Sequence, residues 1–194
     1  MKTKVVLAGL ILTTAFSFGQ KKEIKKADKA LKNRDVAEAM TFINQAEGMI
    51  ASADEDLKAE FYVLKGQIYL ADAGNNDFAK MKQAADAFKM ASTIPGAQNE
   101  AEKGAQQLRV ALVNSAVADQ RAKRYGEATE KLYMSYTVSK DTLDLYNAAE
   151  SSILAKDYES ALEYYEQLLD MGYTGRRQEW IATDLETGEI ATFA

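Results

Sequence analysis

The sequence predicts an all-α chain of about four antiparallel helical hairpins, closed by a short β-hairpin-like tail. Three observations carry that expectation. Apolar residues recur at helical spacing almost without interruption after residue 20. The one proline, Pro95, stands beside Gly96 at a break in the pattern. A short pattern also returns along the chain, in Arg34-Asp35-Val36-Ala37-Glu38-Ala39, Arg124-Tyr125-Gly126-Glu127-Ala128 and Asp157-Tyr158-Glu159-Ser160-Ala161. Each copy opens a helix with a turn residue and an apolar or aromatic anchor, then places a small residue three further on.

Residues 1–19 read as a signal peptide, to be set aside before the fold is considered. Lys2 and Lys4 form its positive end, and Val5 to Phe16 is an apolar run too short to cross a bilayer. Ser17 and Gly19 fit a cleavage site that leaves Gln20 as the mature N-terminus. With no cysteine in the sequence, neither a lipid anchor at that point nor a disulfide is available. The expectation is an exported protein, periplasmic or extracellular and not lipid-anchored, with no transmembrane segment after cleavage.

Helices are expected at about 21–33, 35–51, 54–72, 77–93, 98–123, 125–138, 142–155 and 158–171. Alanine-rich spacing with few β-branched residues supports them on propensity. In the first, Ile24, Ala27 and Leu31 make an apolar stripe with lysines opposite. Asp141 is placed to cap the seventh. The same Asp141-Thr142-Leu143 also resembles a short acceptor motif for O-glycosylation in some exported bacterial proteins. Helices 1–8 taken in pairs give a domain over 20–171, and small residues at facing positions let paired helices cross closely.

The pairs resemble tetratricopeptide repeats (TPRs). The family's small positions fall on Ala27, Gly66, Ala116 and Ala149 in the first helices, and on Ala39, Ala84, Ala128 and Ala161 in the second. Its next small position falls on Ala46, Ala91, Ser135 and Leu168, and a large one on Ile43, Phe88, Leu132 and Tyr165. The best copy is Lys156 to Leu169. The spacing departs from the family period of about 34 residues in all but the last interval, with extra residues around Gly74-Asn75-Asn76-Asp77 and a long fifth helix.

The tail, 172–194, changes character. Trp180-Ile181-Ala182-Thr183 and Ile190-Ala191-Thr192-Phe193 flank Leu185-Glu186-Thr187-Gly188, which reads as strand, turn, strand. An isolated hairpin is marginal in water, so Trp180 and its neighbours are expected to cover the open face of the last helix.

Chemistry is scarce. The chain lacks histidine as well as cysteine, which removes the usual general base, the common nucleophile pairs and the common zinc sites. Its glycines are scattered, so no phosphate-binding loop forms, and no calcium-loop spacing is present. No catalytic residue, cofactor or metal is therefore assigned. Glu159, Glu163, Glu166 and Asp170 read as a solvated acidic face; a carboxylate-based hydrolase would need one of them, such as Glu163, held in an apolar pocket.

The formal net charge is −5, and loss of Lys2 and Lys4 makes the mature chain more acidic, which disfavours nucleic acid as a partner. Gln20 to Arg34 holds seven basic and two acidic residues, whereas Asp141 to Asp170 holds eight acidic residues and only Lys156 as base. A basic end and an acidic end could meet head to tail or touch a membrane surface; solvated helix faces are the plainer reading.

The resemblance implies a partner-binding groove lined by the first helix of each pair. Carried over, it falls on Ile24, Leu31, Val63, Leu70, Val113, Val117, Tyr146 and Ile153, with Asp28, Gln67, Gln120 and Glu150 between them. The lysine and asparagine that grip a chaperone's C-terminal carboxylate in some TPR domains are missing. An apolar groove suits an amphipathic helix or an extended apolar peptide, unless the superhelix closes and these residues become core. The implied function is a protein–protein interaction module or scaffold of the cell envelope. The alternative is a solute- or glycan-binding component of an outer-membrane system, the chain then being part of a longer protein.

Overall fold

In a computed structural model, which describes residues 19, 21–74, 76–175, 180–183 and 190–193, the chain is helical from residue 21 to Asp170. Among the described residues eight helices follow one another: α1 (21–32), α2 (Val36–Glu47), α3 (Glu55–Ala73), α4 (Phe78–Ser92), α5 (Gln98–Arg121), α6 (Tyr125–Ser139), α7 (Thr142–Ala155) and α8 (Tyr158–Asp170). Strands β1 (Trp180–Thr183) and β2 (Ile190–Phe193) pair antiparallel, Trp180 opposite Phe193 and Thr183 opposite Ile190. The turn expected between them lies outside the described residues, as do the strands' side chains, on which the expected cover of α8 by Trp180 depends. The apolar N-terminal run lies outside them too. No helix among the described residues is long and apolar enough to cross a membrane.

Aspartate starts most of these helices. Asp35, Asp54, Asp77, Asp141 and Asp157 each accept a hydrogen bond from a backbone N–H in the first turn of α2, α3, α4, α7 and α8. A carboxylate there satisfies an otherwise orphaned donor and meets the positive end of the helix dipole.

The turns inside three of the pairs are copies of one another. Arg34, Lys123 and Lys156 each take a left-handed conformation, with φ of 64°, 58° and 63°. Their N–H groups bond back to Leu31, Gln120 and Ile153. The following N–H groups, of Asp35, Arg124 and Asp157, bond to Ala30, Asp119 and Ser152. This pairing of carbonyls closes the first helix and starts the second within two residues. Gly172 (φ 72°) and Tyr173 close α8 the same way, onto Leu169 and Leu168.

One boundary differs from expectation. Helix α2 stops at Glu47, not near residue 51, because Gly48 is a poor helix former and takes the C-cap; a 3-10 turn, Ile50–Ser52, follows and keeps Ile50 buried. The extra residues of the second pair lengthen α3 itself, to 19 residues, and do not form a long loop. Helix α5 is longer still, at 24 residues.

From α2 to α8 each helix packs on its neighbour in sequence, α3 also touches α5 and α4 touches α6, and α1 shares a core segment with α2 and α3. The result is a repeat-like row with its core in overlapping segments. Ile24, Ile43, Phe61 and Ile68 lie in the first. Met81, Phe88, Leu108 and Leu112 lie in the next, with Ala116, Leu132 and Ala148 beyond. Each fully buried Ile, Leu, Met or Phe side chain among these contributes about 1.5–3 kcal/mol. Every residue aligned above at a small position is buried, from Ala27 and Ala39 to Ala149 and Ala161.

Candidate partner-binding groove

Three helices meet at one ring. Phe88 of α4 lies against the backbone of Gly66 in α3 and of Gly104 in α5. A Cβ on Gly66 would fall 2.5 Å from the ring, and one on Gly104 would also overlap it. Glycine at both places lets α3 and α5 close on the same side chain. That fixes the spacing of α3 and α5, the first helices of successive pairs.

Between these helices runs an open groove of about 280 Å³. Ala59, Val63 and Leu64 of α3 and Ala97 at the start of α5 form its apolar floor, and Asp28 of α1, Glu60 and Gln67 of α3 and Glu100 of α5 stand around it. Pro95 and Gly96 turn the chain at one wall, and below them Ala91, Ala97 and Ala101 pack on Ala59, Tyr62 and Val63. Asp28 accepts a hydrogen bond from Lys32 at 2.6 Å and Glu100 one from Lys103 at 2.6 Å, both on the protein surface. Among the described residues no basic side chain lines the groove itself. Apolar depth with an acidic rim suits a peptide segment that brings an apolar side chain and a lysine or arginine.

Of the residues carried over from the family, Val63 lines this groove, with Asp28 and Gln67. Ile24 does not: at 0% exposure it belongs to the first core segment, where α1 needs it to pack on α2 and α3. Leu31 is half-buried on the same segment and Leu70 on the second. Val113 packs on the third, and Val117 is half-buried beside it on α5. Tyr146 stacks edge-on against Tyr165 at 6.2 Å and lies 6.0 Å from Tyr173. Ile153 is exposed. The eight positions thus form no continuous stripe: they divide among core, groove and open surface. Sequence reading missed Ala59, Glu60, Ala97 and Glu100; the Pro95-Gly96 turn marked the place, but not what folds against it.

A second group of polar residues was invisible in the sequence. Asp119 of α5 is buried, and accepts hydrogen bonds from Lys131 of α6, also buried, and from Arg124. Burial by itself would raise the Asp119 carboxyl, but the bonds from Lys131 and Arg124 hold it below its ordinary value. Nearby, Arg109 of α5 forks onto the buried Asp144 of α7 at 2.7 and 3.0 Å and reaches Asp141 at 2.6 Å, while Ser135 of α6 donates to Asp144 at 2.6 Å. Gln120 donates to Ser151 at 2.7 Å. These bonds tie α5, α6 and α7 together. Each of these charges is paired, so the bonds fix the geometry of the three helices.

The acids Glu159, Glu163, Glu166 and Asp170 are all exposed on α8. Tyr165 donates to Glu150, and its phenol is pushed up by burial and by that carboxylate. No protein-family model, curated protein or solved structure matches the chain.

Proposed function

We propose that this chain is an exported protein-interaction module of TPR type, a scaffold whose groove between α1, α3 and α5 takes a segment of a protein partner. The observation that carries this reading is the groove itself: an apolar floor of Ala59, Val63, Leu64 and Ala97 on the side lined by the first helices of successive pairs. Buried small residues at facing positions and three copies of one interhelical turn support a stacked, rigid array. A preformed surface binds without first ordering itself, which favours affinity. Export is supported by Lys2, Lys4 and the apolar run after them.

Photo-crosslinking in cells that export the chain tests this. A crosslinking side chain at Glu60 is expected to trap a defined protein, and Glu60→Lys/Gln67→Lys, confined to the groove rim, is expected to abolish capture with the crosslinker moved to Glu100. Capture that is no stronger at Glu60 than at the exposed Lys89, or that survives the double change, removes the groove as the binding site.

A further inference from the structure

Large apolar side chains are exposed mainly at one end of the row. On α8, Tyr158, Leu162 and Leu169 stand 66%, 61% and 72% exposed, in line at helical spacing, with Leu154 at 55% on the adjoining turn of α7. A contiguous apolar face of this kind marks a surface that something covers. Acids accompany it: Glu159, Glu163, Glu166 and Asp170 are exposed along the same helix, and none forms an ion pair among the described residues.

The other end carries the complement. Helix α1 buries Ile24, Ala27 and Ala30 against α2 and α3, which leaves Lys21, Lys25, Lys29 and Lys32 exposed along its outer face. Lys21, Lys25 and Lys29 form no ion pair among the described residues, and Lys32 meets only Asp28 of its own helix. Both stripes hold four like charges over about three helical turns. Lysine stems are themselves apolar, so a helix that presents them can cover Tyr158 and Leu162 while its ammonium groups reach the flanking acids.

We propose that the outer face of α8 docks the outer face of α1 of a second copy of this chain, continuing the row of helices head to tail. The occupant is set by charge: among the described residues, Lys21, Lys25 and Lys29 at one end and the four carboxylates at the other form no ion pair, and both stripes run over a similar length of helix. The two faces differ, so a contact between copies leaves one of each free and the assembly extends with concentration. The inference is independent of what the groove binds.

Sedimentation velocity on the purified full chain tests it. Wild type is expected to gain mass with concentration at low salt and to lose it at roughly 0.5 M salt, where surface charges are screened. Lys25→Glu/Lys29→Glu and Glu163→Lys/Glu166→Lys are each expected to weaken association about tenfold or more, being exposed charge changes that leave the core untouched. Combining all four changes in one chain restores opposite charges and is expected to restore association. A wild type that stays monomeric at every concentration overturns the proposal and leaves the stripe to the chain's own later residues. Association that ignores both charge reversals, or four changes that fail to rescue, overturns it equally.

Discussion

The ring of Phe88 occupies the space that a side chain on Gly104 would need, so a side chain of α4 lies directly on the backbone of α5. Because the same ring also rests on Gly66, one aromatic side chain of α4 sets how closely both α3 and α5 approach it.

Gly104→Ala is therefore expected to destabilise the fold although alanine is the better helix former. The propensity gain is about 1 kcal/mol, and the overlap with a ring that is 2% exposed costs about 1–3 kcal/mol or more. Urea unfolding should place the variant below wild type, and Phe88→Leu in the same chain should recover part of the loss. An increase in stability would show that the ring has room to move.

Asp119→Asn is expected to be among the most damaging polar changes. It keeps the shape but leaves the Lys131 ammonium buried without its counter-charge, a loss of about 3–5 kcal/mol. Adding Lys131→Met removes the stranded charge, and most of the stability should return. Equal losses for the single and double variants would contradict the pairing.

The same carboxyl predicts the acid limit. The folded state holds Asp119 below its ordinary value of 3.8, so its contribution is complete above that pH and falls away as pH drops toward the folded value. Wild type should lose stability between neutral and strongly acid pH more steeply than the Asp119→Asn/Lys131→Met variant. Parallel profiles would assign the acid sensitivity to other groups.

Lys156 holds a left-handed conformation at φ 63° in an exposed turn, where a side chain costs about 1 kcal/mol relative to glycine. Lys156→Gly is expected to raise stability by about 0.5–1 kcal/mol, since the Lys156 side chain makes no hydrogen bond or ion pair among the described residues and the backbone strain is relieved. Thermal or urea unfolding reads this directly, and a drop would mean that the lysine side chain holds the turn.

How far the sequence could be read depended on the range of the interactions involved. Helices α3 to α8 were legible to within about two residues, since aspartate caps, Pro95-Gly96 and the apolar period are local signals. Helix α2 was overextended because its period runs on through Gly48 to Ile50, and only packing shows that Ile50 reaches the core from a 3-10 turn. The recurring Ala39, Ala84, Ala128 and Ala161 announced the tight crossings, and all four are buried.

The groove was legible only in part. Val63, Asp28 and Gln67 were in view from the repeat pattern, while Glu60 and Glu100 were not, because their meeting depends on how α3 and α5 pack side by side. Ile24 shows the reverse error: its helical position matches a groove residue, yet packing of α1 against α2 and α3 claims it for the core.

By itself, then, the sequence determined that this chain is helical, where its helices begin, and that a chain without histidine or cysteine lacks the usual catalytic and zinc-binding side chains. Those properties follow from near-neighbour geometry and composition. Tertiary structure alone decided which carboxylates are solvated and which, like Asp119 and Asp144, are buried against cations from other helices. It also decided which apolar residues face a groove, a core or open water. Burial is a property of what surrounds a residue in space, and residues such as Arg109 and Asp144 become neighbours only once the helices between them have packed.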